Sequence, residues 1–238
     1  MIFAAGKGTR LYPLTKNTPK ALVQIAQKPM LEWQILKLIK LGIKNIIINI
    51  HHFPNQIIDF VKSNNSFGID IQFSDESDNL LDTGGGLKKA SWFFKNKGPH
   101  ILQNVDIFSD IDYQQLINYH NNNNALATLV VKKRKTSRYL LFDKKYVLCG
   151  WENLKTGEKI ITKKEGNLIP LAFSGIHIVD SSLFELINEQ GVFSIIDLYL
   201  RLSRQYIIKG YVDKISNWFD LGKVESIQEF KKSNYSFI

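Results

Sequence analysis

The chain has 238 residues, with 31 Lys and Arg against 22 Asp and Glu and a formal net charge of +9. At about 150 residues per domain this allows one large domain or two small ones, and 44% hydrophobic with 22% charged residues excludes a disordered chain. The single cysteine, Cys149, excludes an internal disulfide scaffold and points to a reducing compartment.

No apolar run approaches the ~20 residues that span a membrane. Met1–Ala5 runs into Gly6 and Lys7 without a charged leader, so a cytoplasmic location is expected. The positive charge permits nucleic acid, a membrane surface or a polyphosphate ligand. Its one local cluster is Lys132, Lys133, Arg134, Lys135 and Arg138. No nucleic-acid recognition motif accompanies it, so neither a nucleic-acid nor a membrane partner is expected.

In chain order, Ile2–Ala5 reads as a short buried strand and Pro29–Leu41 as a helix with Leu31, Ile35, Leu38 and Ile39 on its apolar side. Asn45–Ile50 is a β-branched strand, Asn55–Lys62 a helix, Ile69–Phe73 a strand, Leu87–Lys95 a helix and His100–Val105 a third buried strand. Continuous apolar strands separated by helices indicate a parallel sheet covered on both faces. Asp112 reads as the N-cap of a helix Tyr113–His120, and Asn121–Asn124 as a polar loop. The second half holds strands at Ala125–Val131, Tyr139–Phe142, Tyr146–Trp151, Leu171–Val179 and Ile207–Val212. Helices are expected at Ser181–Asn188, Ser194–Gln205 and Lys223–Phe230. We read 1–238 as one domain with two subregions, 1–131 and 132–238.

The strongest motif opens the chain. The strand runs into Ala5-Gly6-Lys7-Gly8-Thr9-Arg10-Leu11. Gly6 and Gly8 let backbone N–H groups approach a phosphate without Cβ obstruction. Lys7 and Arg10 supply opposite charge, and Arg can do so bidentately. Pro13-Leu14-Thr15 and Pro19-Lys20-Ala21-Leu22 follow. Together, A-A-G-x-G-T-R-L, P-L-T and P-K-x-L make the chain resemble the sugar-phosphate nucleotidyltransferases, which make nucleotide-sugars. The resemblance implies that Arg10 and Lys20 touch the phosphates of a nucleoside triphosphate, with Lys20 at the charge that develops on the α-phosphorus. It also implies that Ala5, Gly6, Gly8 and Thr9 belong to the nucleotide site.

Three further elements extend it. In Asp82-Thr83-Gly84-Gly85-Gly86, three consecutive glycines opening a helix are costly unless the backbone must lie close to something. In the family this loop packs against base and ribose. D/E-T-G-G-G resembles a subgroup with N-acetylmuramate-1-phosphate uridylyltransferases and heptose-1-phosphate guanylyltransferases. Asn104-Val105-Asp106 stands where the family has N-G-D, with Val105 in place of Gly. Trp218-Phe219-Asp220-Leu221-Gly222 looks like the family's W-x-D-x-G. The resemblance implies that Asp106 and Asp220 hold Mg²⁺. On the sugar side it implies Asn104, Glu152, Ser174 and Gly175, with Asn153 in place of a common Lys. The basic segment Lys132–Arg138 reads equally as a sugar-phosphate contact or a solvated strand end. Cys149 reads as a packed thiol rather than a nucleophile.

The implied fold is Rossmann-like three-layer α/β/α with a mixed, mostly parallel central sheet. The implied reaction joins an NTP to a sugar 1-phosphate and releases pyrophosphate. UTP with N-acetylmuramate 1-phosphate or a related hexose is the first expectation, as in cell-wall recycling. GTP with mannose or heptose 1-phosphate is the second. The absence of hexapeptide repeats after Asp220 favours the short, single-domain type. A noncatalytic nucleotide-sugar sensor on the same fold is a further reading, but it has no need of Arg10, Lys20, Asp106 and Asp220 together. An RNA-binding role lacks an aromatic recognition sheet. Oligomeric state leaves no mark in the sequence.

Overall fold

The computed structural model describes residues 1–164 and 166–233. In chain order it has β1 (Ile2–Phe3), β2 (Gln24–Ile25), β3 (Lys28–Pro29), α1 (Met30–Lys40), β4 (Asn45–Ile50), α2 (Pro54–Ser63) and β5 (Asp70–Asp75). There follow α3 (Asp82–Lys89), β6 (Pro99–Asn104), β7 (Ile107–Ser109), α4 (Tyr113–Asn122), β8 (Ala127–Lys132), β9 (Arg138–Phe142) and β10 (Leu148–Asn153). The chain closes with β11 (Glu158–Ile161), β12 (Ile169–Asp180), α5 (Ile195–Leu202), β13 (Ile208–Val212), β14 (Trp218–Asp220) and α6 (Val224–Lys232). This is the expected Rossmann-like α/β fold with a mixed central sheet.

Two compact units partition the chain: Met1–Leu80 with Gln103–Asp110 and the segment from Asn217 onward, and Leu81–Leu102 with Ile111–Ser216. In the first, β1 pairs in parallel with β4 on one side and β6 on the other, and β4 pairs in parallel with β5. β4 leaves only Asn45 exposed, as a central parallel strand requires. α1 buries Met30, Leu31, Ile35 and Leu38, and carries Glu32 in its first turn and Lys37 and Lys40 in its last, which complements the helix dipole. The chain order on the sheet reverses between β1 and β6. The carboxyl ends of those two strands are therefore where an open α/β sheet binds ligands.

In the second unit, β12 pairs antiparallel with β8 and β9, β10 with β9 and β11, while β13 runs parallel to β8. Asp112 caps α4, its carboxylate accepting from the Gln115 N–H at 3.0 Å, as its position before an apolar-periodic run suggests. Three expectations change here. The helix expected at Leu87–Lys95 begins at Asp82, and its end is a separate 3₁₀ turn, Ser91–Phe93. Ser181–Asn188 contains a 3₁₀ turn, Ser181–Leu186, rather than an α-helix. β11 was not foreseen, because only partial burial marks it.

His177 on β12 is buried, with Nδ1 2.7 Å from the Tyr199 hydroxyl. Burial pushes its pKa from the ordinary 6.5 down to about 3. An unfolded chain gains that proton near pH 6.5, the folded one only near 3, so stability is full above this window and falls as pH drops through it. Between pH 7 and pH 5 the expected loss from this group is about 2 kcal/mol. Urea melts at both values check it, with His177→Gln showing a shallower dependence. Equal slopes for both proteins would refute the assignment.

Candidate active site

In the first unit, Phe3 stands opposite Asn49 on β4 and Asn104 on β6, and its carbonyl accepts from the Val105 N–H at 3.1 Å. The chain then turns through Gly6 and Gly8 into a 3₁₀ turn, Thr9–Leu11, anchored by buried Leu11. Gly8 has φ +65, and a Cβ there would stand 2.9 Å from Lys20 Cβ and 3.0 Å from Thr15 Cγ2. Both the left-handed backbone and the packing of the Lys20 stem require glycine. The Thr15 hydroxyl and the Leu11 N–H both donate to the Gly8 carbonyl, each at 2.9 Å. Ala5 is buried at the base of the turn, while Gly6, Thr9 and Arg10 are exposed.

Lys20 Nζ lies 2.7 Å from Asp106 Oδ2, with side-chain exposures of 15% and 6%. It is also 3.9 Å from the place a Cβ on Gly6 would take. Asp106 follows β6 in a turn whose backbone is held from α1. Gln34 Nε2 donates to the carbonyls of Val105 at 3.2 Å and Ile107 at 2.8 Å. Val105 is buried and has no positive φ, so a β-branched side chain fits where the family has Gly.

Asp220 ends β14, which pairs antiparallel with β7 and sets Asp220 opposite Ile107. The Leu221 N–H donates to the Asp106 carbonyl at 2.9 Å, and the Gly222 N–H to Asp220 Oδ1 at 3.0 Å. Gly222 is the meeting point. A Cβ there would stand 2.6 Å from Asp106 Oδ2, 2.9 Å from an Arg10 guanidinium nitrogen and 2.9 Å from Asp220 Oδ1. Arg10, Lys20, Asp106 and Asp220 thus come together although they are distant in sequence. Two carboxylates that both approach Gly222 are hard oxygen donors of the type that suits a hard divalent cation. Among the described residues no group of three or more His, Cys, Asp or Glu is placed to hold a metal. Gly222→Ala is expected to cut turnover by about a hundredfold in steady-state assays, because these three groups must part to admit a methyl.

In the second unit, Asp82 opens α3 at φ +58 and its Oδ1 accepts from the Thr83 N–H at 2.6 Å. Thr83 Oγ1 accepts from the Ile195 N–H at 3.0 Å. The N–H groups of Gly84 and Gly85 both donate to the Phe193 carbonyl, at 2.9 and 3.2 Å. A Cβ on Gly84 would stand 2.4 Å from the Phe193 ring, and one on Gly85 2.5 Å from the Gly191 carbonyl oxygen. The close approach that the glycines permit is therefore to the chain's own segment before α5. Gly85→Ala is expected to destabilise the fold by about 1–3 kcal/mol, seen as a lower midpoint in thermal melts.

Glu152 lies on β10 opposite Lys159 on β11, 3.3 Å from its ammonium. Ser174 and Gly175 are buried on β12, where the register against β8 shifts between Phe173 and His177 and Gly175 takes φ +74. Of the basic segment, Lys132 pairs with Asp213 at 2.7 Å and Arg134 donates to the Phe173 carbonyl at 2.9 Å. Cys149 is buried.

The sequence reading missed Gln34, and it named Gly222 only as the end of the W-x-D-x-G segment, without a role. The signal for Gln34 is an amide on an otherwise apolar helix face. For Gly222 it is a glycine two residues after a strand-end carboxylate.

The sequence matches the family described as Nucleotidyl transferase over residues 1–235. It is 30% identical over 226 residues to a mannose-1-phosphate guanyltransferase of Yarrowia lipolytica, which covers 94% of this chain and 60% of that protein. It is 36% identical over 113 residues to an N-acetylmuramate alpha-1-phosphate uridylyltransferase of Neisseria meningitidis, 48% of each chain. The chain thus spans about half to three-fifths of the length of these curated relatives. A crystal structure of a Bacillus anthracis protein, a glucose-1-phosphate thymidylyltransferase by assignment, superposes with a TM-score of 0.79 at 22% identity, covering 100% of this chain and 96% of that one. That likeness speaks for the fold alone. With the family match extending along almost the entire sequence, the chain belongs to the nucleotidyl transferase family.

Proposed function

We propose that this protein transfers a nucleotidyl group from a nucleoside triphosphate to a sugar 1-phosphate, giving a nucleotide-sugar and pyrophosphate. The observation that carries the reading is the convergence of Arg10, Asp106 and Asp220 beside Gly222, with Lys20 on Asp106. A phosphate oxygen of the sugar 1-phosphate attacks the α-phosphorus in line. A new P–O bond forms, and the electron pair of the α–β bridge leaves with pyrophosphate. The nucleophile is already anionic, so the protein's work is positioning and charge neutralisation.

In this reading the turn Ala5–Thr9 and Arg10 hold the β- and γ-phosphates, and Lys20 faces the α-phosphate. Asp106 and Asp220 would hold Mg²⁺, which when bound supplies positive charge to the phosphates. Asp82, Thr83, Gly84 and Gly85 take base and ribose, of which Asp82 and Thr83 supply side-chain hydrogen-bonding groups. Asn104, Glu152, Ser174 and Gly175 take the sugar, and Glu152 must exchange its pairing with Lys159 for hydroxyl groups. The first choice of substrates is UTP and N-acetylmuramate 1-phosphate, made in the cytoplasm for cell-wall nucleotide-sugars. The Neisseria relative named for that activity shares 36% identity over its matched region. The guanyl alternative, with mannose or heptose 1-phosphate, draws on the Yarrowia relative's match to 94% of the chain.

The test is pyrophosphate release over a matrix of UTP, GTP, CTP, dTTP and ATP against several sugar 1-phosphates. UTP is expected to give the highest kcat/KM. A clear GTP preference would overturn the base and leave the transfer reaction standing. No release with any pair would remove the reaction itself.

A further inference from the structure

Three strand ends of the first unit are joined by a buried polar chain that the proposed chemistry does not use. The Ala4 N–H donates to Asn49 Oδ1 at 2.7 Å, and Asn49 Nδ2 donates to Glu76 Oε1 at 2.7 Å. Ala4 and Asn49 are each 3% exposed and Glu76 is 0% exposed. Asn49 stands in β4 among isoleucines, and Glu76 follows β5 directly. Ala4 is the first residue beyond β1, at the point where the chain leaves the sheet to make the Gly6–Gly8 turn.

The chemistry of an amide explains the order of these three. Its two ends are nearly equal in shape, so only hydrogen bonding decides which faces Ala4. Glu76 Oε1 accepts from the NH₂ end of Asn49, which leaves Oδ1 toward the Ala4 N–H. On the other side of β1, the Phe3 carbonyl accepts from Val105. Consecutive backbone groups of the strand end are thus pinned to opposite neighbours, which fixes the direction in which the turn departs.

We propose that Asn49 and Glu76 are positioning residues for the phosphate-binding turn, setting the path of Ala5–Arg10 so that the turn meets the triphosphate of the nucleotide. The proposal rests on the nucleotidyl-transfer reading of the site. Neither side chain touches substrate, so their loss acts through the turn and falls on the nucleotide rather than on the sugar.

The experiment compares the full chain with Asn49→Ala, Glu76→Ala and Glu76→Gln. KM for the nucleotide, KM for the sugar 1-phosphate and kcat are measured separately, alongside hydrogen exchange of the peptide over residues 1–11. Asn49→Ala and Glu76→Ala are expected to raise the nucleotide KM by about tenfold or more and the sugar KM by less than about twofold. Exchange should quicken in the N-terminal peptide. Glu76→Gln, which keeps an acceptor at Oε1, should recover most of the nucleotide affinity lost in Glu76→Ala. Equal rises in both KM values, or no gain of Glu76→Gln over Glu76→Ala, would overturn the proposal. Should the unaltered protein release no pyrophosphate, the reaction reading fails on its own. Exchange then decides the relay: quickening confined to residues 1–11 supports it, and unchanged exchange there refutes it.

Discussion

Asp106→Asn and Asp220→Asn are each expected to lower kcat by about 10³-fold. Both substitutions keep the size and shape of the side chain, so the loss reports charge rather than packing. Asp106 is 4% exposed and carries Lys20 at 2.7 Å, and its Oδ2 lies near Asp220 Oδ1 and the Arg10 guanidinium around Gly222. Two carboxylates balance two basic side chains there. When one carboxylate is made neutral, the balance tilts by a full charge in a partly desolvated place, where such changes weigh more than in water. The unaltered protein should lose its activity in excess EDTA and regain it with added Mg²⁺, at a concentration that rises in both variants. Full activity of either variant in excess EDTA would remove both carboxylates from a metal role.

Asp106 shows in the sequence as a carboxylate at the end of a buried strand, whereas Asp220 is singled out only by the resemblance of its W-x-D-x-G segment to the family. The Gly-x-Gly turn after β1 shows as two glycines between a strand and a basic turn. Its second glycine proves to be needed twice, for φ +65 and for the nearness of the Lys20 stem, and only the first need shows in a sequence. The glycines at 84 and 85 were legible only in part: their composition announces close approach, but not that Phe193 and the Gly191 carbonyl, more than a hundred positions away, stand at their Cβ positions. Long-range packing of that kind leaves no periodic mark. The same limit hid Gln34, Asn49 and Glu76, whose roles depend on which strand ends meet. β7 and β14, three residues each, are too short for alternation to declare them, yet their pairing brings Asp220 beside Asp106.

Lys20→Ala is expected to reduce kcat by about 10²–10³-fold while raising the nucleotide dissociation constant by less than about tenfold. The difference follows from when its charge is needed. In the free protein the ammonium is already paired with Asp106, at 15% side-chain exposure, so its net contribution to a ground-state phosphate is partly spent on that pairing. During transfer, negative charge shifts among the α-phosphate oxygens and the departing pyrophosphate, and a fixed ammonium stabilises that stage more than the bound ground state. Lys20→Arg should not restore the rate, since a planar fork cannot replace a compact point charge on a stem that packs within 3 Å of the Gly8 Cβ position. Breaking the pair also leaves Asp106 uncompensated, so Lys20→Ala should melt lower than the unaltered protein. Combining it with Asp106→Asn should recover stability without recovering turnover. Pre-steady-state measurement of nucleotide binding beside single-turnover transfer separates the two effects. If affinity collapses and the transfer step keeps its rate, Lys20 serves binding and the transition-state role is wrong.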